Sequence, residues 1–222
     1  MEHQILYRPS YSLLQLLMSQ GESIQAEAGA MVSMTPNIQM QTQARGGILG
    51  GIKRLVGGES FFVNNFTCGS GDGEMTLAPP LPGDIMDIPL GGVMFVQSGS
   101  YIANTGGISI DTKWSGARGF FSGEGLFLLK AEGTGQLFVS SYGAIHVLEL
   151  AEGQRYVADT GHMVAFDSSV TYSVRGSGGL KETFLSGEGL VCEFTGPGRL
   201  YLQTRSMDAF LKFLIPKLPK NQ

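Results

Sequence analysis

The hexapeptides Phe121-Ser122-Gly123-Glu124-Gly125-Leu126 and Leu185-Ser186-Gly187-Glu188-Gly189-Leu190 are near copies of each other, 64 residues apart. A looser third version is Gly58-Glu59, ahead of Phe61-Phe62-Val63. In all three, Gly-Glu leads into an apolar run, the other two being Leu126-Phe127-Leu128 and Leu190-Val191-Cys192. Each run is followed by a glycine turn and a second run: Gly73-Glu74-Met75-Thr76-Leu77, Gly135-Gln136-Leu137-Phe138-Val139 and Gly198-Arg199-Leu200-Tyr201-Leu202. Upstream, glycines eight apart recur as Gly21/Gly29, Gly91/Gly99 and Gly153/Gly161, at offsets of +70 and +62. At the same offsets Ile38, Met40 and Thr42 match Ile108, Ile110 and Thr112, and then Val170, Tyr172 and Val174. The residues between them are mostly polar, and period-two alternation marks a half-buried strand. Self-similarity of this kind marks one supersecondary unit used several times.

The chain therefore reads as all-β: one triplicated domain over residues 1–206, with repeats at about 13–78, 83–140 and 144–203. Short β-type runs separated by glycine turns predict antiparallel sandwich or barrel modules. Three of them are expected to pack around a pseudo-threefold axis, each covering part of its neighbour's apolar face. Glycine supplies 33 of 222 residues, about twice ordinary usage. The recurring glycines are expected to be equivalent corners, where positive φ or close backbone approach is needed. Residues 207–222 differ. Met207, Phe210, Leu211 and Leu214 fall on one helical face, Ser206 is a suitable N-cap with Asp208 in the first turn, and Pro216 stops the helix. A short C-terminal amphipathic helix is predicted there.

Composition narrows the function classes. With 42% hydrophobic residues and a net charge of −4, the chain is not of a disordered type. The sequence pI of about 5.4 and the lack of a basic patch disfavour nucleic acid as a partner. Cys68 and Cys192 form neither a CxxC pair nor a disulfide framework, so two reduced, partly buried thiols are expected. No apolar run is long enough to span a bilayer, and Met1-Glu2-His3-Gln4 does not open a secretory signal. A cytoplasmic location is expected.

Several segments carry a resemblance. They are Ala28-Gly29-Ala30-Met31, the loop Gly46-Gly47-Ile48-Leu49-Gly50-Gly51-Ile52-Lys53-Arg54, and Gly57-Gly58-Glu59-Ser60-Phe61-Phe62. Leu185 to Leu190 and Gly196-Pro197-Gly198-Arg199-Leu200-Tyr201-Leu202-Gln203-Thr204-Arg205 complete the set. Together they resemble the family named for altered inheritance of mitochondria protein 24, over nearly the whole chain. The resemblance implies three double-stranded β-helix modules of the kind seen in tryptophan RNA-binding attenuator proteins. Mitochondrial members are linked to inner-membrane organisation, and the family supplies no agreed catalytic motif.

Candidate chemistry is sparse. His3, His146 and His162 do not cluster, whereas a metal needs several convergent ligands, and each reads as a surface or turn residue. His146 shares an alternation with Leu148, so a partner for it is worth seeking. The glycine-rich loop ending in Lys53-Arg54 has Ile52 where a phosphate loop needs lysine. Lys53 and Arg54 remain candidates for an anion or lipid-headgroup contact, against a plain surface loop. Glu59, Glu124 and Glu188 are equivalent carboxylates, which a pseudo-threefold axis could bring together on a hard cation; accepting N–H bonds in separate turns is the favoured alternative. Phe61, Phe62, Phe120, Phe121 and Phe127 read as core, and Trp114 as core or interface. Met207, Phe210, Leu211 and Leu214 are candidates for packing on the β domain, for an oligomer contact, or for a membrane-surface contact aided by Lys212, Lys217 and Lys220.

These features point to a non-enzymatic, homo-oligomeric β-scaffold, binding or organising in a protein assembly or peripherally at a membrane surface, with no cofactor and no metal. The alternative is a small-ligand or RNA-binding module by analogy to the attenuator fold. A metal-dependent double-stranded β-helix enzyme is a distant third.

Overall fold

The computed structural model describes residues 1–43, 61–112, 127–176 and 190–219. Among these the chain is almost wholly β, with strands paired antiparallel in open sheets and one short helix at the C-terminal end. The alternation of Leu14, Leu16 and Met18 with Leu13, Gln15 and Leu17 shows why. The first set is fully buried and the second lies half-buried or exposed, so one face of the strand carries the core.

The first stretch contains β1 (Glu2–Leu6), β2 (Leu13–Met18), β3 (Ser23–Glu27), β4 (Met31–Met34), β5 (Ile38–Gln43), β6 (Val63–Cys68) and β7 (Gly73–Leu77). The second contains β8 (Ile85–Gln97), β9 (Tyr101–Thr105), β10 (Ile108–Asp111) and β11 (Leu128–Ser140). The third contains β12 (Ile145–Leu150), β13 (Arg155–Asp159), β14 (Met163–Asp167), β15 (Thr171–Gly176), β16 (Leu190–Thr195) and β17 (Gly198–Gln203). A four-stranded sheet runs β1-β2-β7-β4. A ten-stranded sheet runs β12-β17-β14-β8-β11-β9-β3-β6-β5, with β10 on β11, and a three-stranded sheet runs β13-β16-β15.

Pairings recur along the chain. β2 with β7, β8 with β11, and β12 with β17 are antiparallel partners. β4 on β7, β9 on β11 and β14 on β17 each show a register shift, between Met31 and Ser33, at Phe138/Val139 opposite Ala103 and Tyr101, and between Met163 and Ala165. A β-bulge of this kind leaves one extra residue on one strand and bends it. Two strand contacts run between stretches: β3 with β9, and β8 with β14. A ring closed within one chain would also pair β4 with β13. Among the described residues that pair is not formed, and each of the two strands ends its sheet.

Two glycine expectations change, since Gly135, like Gly91, lies inside a continuous strand. Gly91 is not a corner like Gly21 and Gly153, because β8 pairs with β11 without a break from Ile85↔Ser140 to Leu128↔Gln97. Glycine is required elsewhere on this ribbon: a Cβ on Gly133 would stand 2.1 Å from the Gly107 carbonyl oxygen, and one on Gly107 would stand 2.1 Å from that of Thr134.

Three apolar clusters fill the interior, centred on Leu16, Phe66 and Met75; on Met94, Tyr101 and Leu137; and on Phe166, Phe194 and Leu200. In the last, the Phe166 ring meets Phe95, Tyr172 and Phe194 with centroids 5.3, 5.2 and 5.5 Å away. Burying each such side chain contributes roughly 1.5–3 kcal/mol. Phe61 packs edge-on against Tyr101 and Phe127, in keeping with a core role. Both cysteines are free and buried.

Candidate functional site

The C-terminal segment gathers what the described residues offer as a site. Its helix, α1 (Met207–Leu214), is capped by Ser206, whose hydroxyl accepts from the Ala209 amide at 3.2 Å. Asp208 sits in the positive first turn and pairs with Lys212 one turn on. A single 3-10 turn, Ile215–Lys217, follows and carries Pro216.

This helix barely docks. None of its residues is buried. Met207 and Leu214 are half-covered, while Phe210 touches the Tyr142 ring edge-on at 6.2 Å and otherwise stays exposed with Leu211. The face expected from the sequence is thus only partly used for packing. More apolar surface lies beyond it: Phe213 is 63% exposed and Ile215 59%, with Leu218 also out in solvent. Sequence reasoning missed these three because it followed a single stripe. The run Phe213-Leu214-Ile215 is apolar all round, and that was the available signal. Lys217 places its ammonium 4.8 Å over the Phe213 ring, so a cation rides on the apolar surface.

Under the start of α1 lies a cavity of about 610 Å³, lined by Pro79, Pro80, Leu81, Tyr142, Met207 and Leu211 together with Gln97, Gln203 and small residues. Several of its polar groups are engaged, including Asp208, which also lines it and pairs with Lys212. The Gln203 amide accepts from the Tyr142 N–H and donates to the Gly161 carbonyl, both at 2.8 Å. His162 donates from Nδ1 to the Gln203 carbonyl at 2.7 Å. The Ser100 hydroxyl donates to Gln97 at 3.2 Å, and that of Ser141 to the Gly143 carbonyl at 2.6 Å. With these groups tied to the walls, the apolar side chains of Pro79, Leu81, Met207 and Leu211 are prominent in the lining.

The three histidines stay apart. His3 lies 3.3 Å from Asp87 and edge-on to Phe138, His162 is held in its turn, and His146 is exposed on β12 without a partner among the described residues. No group of three His, Cys, Asp or Glu side chains gathers among the described residues. Lys53, Arg54, Glu59, Glu124 and Glu188, like Trp114, lie outside the described residues. No described helix is long and apolar enough to cross a membrane.

The buried ionisable groups sit away from this segment. Burial pushes the Glu27 carboxyl up to about 7 and the Cys192 thiol up to about 12. The hydrogen bonds from Arg8 to Asp84 raise the guanidinium's pKa further.

Comparison with known proteins fits this architecture. The chain is 29% identical over 219 residues to an uncharacterised protein of Streptococcus pyogenes serotype M6, covering 94% of this chain and 88% of that one. A crystal structure of a Streptococcus pyogenes protein superposes with a TM-score of 0.83 at 28% identity, covering 98% of this chain and 99% of the other. The family model for mitochondrial biogenesis AIM24 matches residues 3–205, and the chain belongs to that family.

Proposed function

We propose that this protein is a non-enzymatic, oligomeric β-scaffold: three tandem modules joined in series, with the C-terminal segment as an apolar docking element. The observation that carries the docking role is the solvent-exposed cluster of Phe210, Leu211, Phe213, Ile215 and Leu218. So many exposed large apolar side chains in one short segment are seldom kept without a use. The modular reading is supported by the recurring pairings and by the shared register shift at Val32, Ile102 and Val164. Each module is of the attenuator type implied by the resemblance. Lys212 and Lys217 beside the patch suit a protein assembly or an anionic surface.

The test is light scattering on the full chain, with and without Phe213→Asp and Ile215→Asp, beside flotation on neutral and anionic vesicles. A multi-chain mass, or vesicle binding, that the substitutions abolish supports the reading. A strict monomer that ignores both vesicle types refutes it. A second reading, binding of a small apolar ligand, is favoured by the cavity of about 610 Å³, a size suited to one. Thermal shifts with aromatic amino acids and fatty acids check it. The acidic charge speaks against RNA.

A further inference from the structure

We propose that copies of this chain join head to tail, β13 of one copy adding antiparallel to the free edge of β4 in the next. The proposal rests on the scaffold reading above and names the surface by which that scaffold assembles. Two junctions inside the chain are built from the equivalent strands. At the first, Ile24, Gln25 and Ala26 of β3 face Thr105, Asn104 and Ala103 of β9. At the second, Met94, Phe95 and Val96 of β8 face Asp167, Phe166 and Ala165 of β14. The repeat offsets of +70 and +62 carry one set of pairs onto the other without a slip. Carried on, they give the third junction a register: Tyr156 opposite Thr35, Val157 opposite Met34, and Ala158 opposite Ser33.

Within one chain those strands are not paired among the described residues. β4 has a neighbour only in β7, and β13 only in β16. Burial follows the same division. Ala103, Asn104, Ala165 and Phe166, which line the made junctions, are 0% exposed. Their counterpart Met34 is 36% exposed, and Val157 on the other edge is 47% exposed. The bulged Ile102 and Val164 are fully buried, whereas the equivalent Val32 is 58% exposed.

Composition of the β4 edge argues in the same direction. An edge meant to stay free is usually protected by charge, proline or polar side chains. β5, β10 and β15 end sheets in all three stretches, and they carry Gln39 and Gln41, Ser109 and Asp111, and Thr171, Ser173 and Arg175. β4 is Met-Val-Ser-Met, with no charge and no proline. A strand with that side-chain set and an open backbone edge is a template for strand addition. Because β4 and β13 are different surfaces, the contact is heterologous and propagates into a ring or an open chain.

Light scattering on the full chain carrying Met34→Lys or Val157→Lys tests this. Each substitution places an ammonium on one edge of the junction at an exposed position, and circular dichroism confirms the fold. The wild type is expected at a multiple of 23.7 kDa and each variant at the mass of one chain. An equimolar mixture of the two variants is expected to form a two-chain species, since each supplies the edge the other lacks. Independently, a mixture of Met34→Cys and Val157→Cys chains should cross-link on oxidation into a dimer that thiol reduces. Lysine variants that keep the wild-type multi-chain mass overturn this junction while leaving the scaffold reading intact. A wild type that stays one chain at every concentration overturns both. A cross-link formed inside one chain carrying both cysteines, in place of one between chains, also overturns the proposal.

Discussion

Asp84 is the polar anchor of the corner where the N-terminal strand meets β8, and its removal gives a prediction with a definite size. The residue is 4% exposed. Its carboxylate accepts from Arg8 Nε at 2.9 Å and Nη2 at 2.8 Å, a two-pronged pair. It also accepts from the Ser12 hydroxyl at 2.8 Å and from the Ile85 amide at 2.9 Å. In Asp84→Ala the Arg8 guanidinium, whose side chain is 43% exposed, turns to water at little cost. The Ser12 hydroxyl and the Ile85 N–H are buried and lose their partner, each at about 1–3 kcal/mol. The expected loss is therefore about 3–5 kcal/mol, in the range for breaking a buried pair from one side. For a chain of this size that lowers Tm by roughly 10 °C. Asp84→Asn keeps an acceptor for both buried donors and gives up only the charged fork, so it should cost about half as much. Thermal and urea unfolding followed by circular dichroism measure all three proteins. If Asp84→Ala loses less than about 1 kcal/mol, or Asp84→Asn loses as much as Asp84→Ala, the buried donors are not what the carboxylate holds.

Other perturbations follow from the same structure. Glu27 titrates near 7 in the fold against 4.5 unfolded because burial penalises its charge, so its ionisation opposes folding and stability falls as pH rises from about 4.5 to above 7. Glu27→Gln should flatten that decline and gain about 1–3 kcal/mol at pH 8; parallel Tm–pH curves for the two proteins would refute it. A Cβ on Gly83 would lie 1.7 Å from the Ser141 carbonyl oxygen, a backbone atom, so Gly83→Ala should cost at least about 1–3 kcal/mol in urea unfolding. Cys68 and Cys192 are buried and free, and burial pushes the Cys192 thiol up to about 12. A thiol reagent should therefore titrate neither in the native protein and both in urea.

Much of the β framework was legible because the alternation is local and one-sided. Ile38 and Met40 declare β5, and Ile108 and Ile110 declare β10, from their own spacing, and Ser206 declares the start of α1. What stayed hidden depends on distant chain. Gly91 looks like a corner by analogy with Gly21 and Gly153, and Gly135 by analogy with Gly73 and Gly198, yet 13 consecutive pairings hold β8 and β11 as continuous strands through them. Asn104 gave no sign of being core. It is fully buried because its amide donates to the Thr105 and Ile108 carbonyls, and its oxygen accepts from the Tyr101 hydroxyl. Such satisfaction comes from partners assembled by the fold. At the candidate site the helix itself was legible. The cavity beneath it was not, because Pro79, Tyr142 and Met207 converge there from three separate segments.

The open edges show what a repeat can hide and reveal at once. Met31-Val32-Ser33-Met34, Tyr101-Ile102-Ala103-Asn104 and Met163-Val164-Ala165-Phe166 all begin with two large apolar residues and a small one. Nothing in that pattern says which copy lies at a covered junction and which at an exposed one. Coverage depends on a neighbouring strand, and among the described residues β4 has one only in β7. If β4 served only as a terminal edge, Lys, Pro or inward charge there would cost little and would protect against aggregation. The strand instead keeps the apolar character of its covered counterparts, while the consistently terminal β5, β10 and β15 alternate with polar residues. A terminal strand that is patterned like an internal one is suited to a neighbour, and in the head-to-tail contact proposed above that neighbour is β13 of another copy.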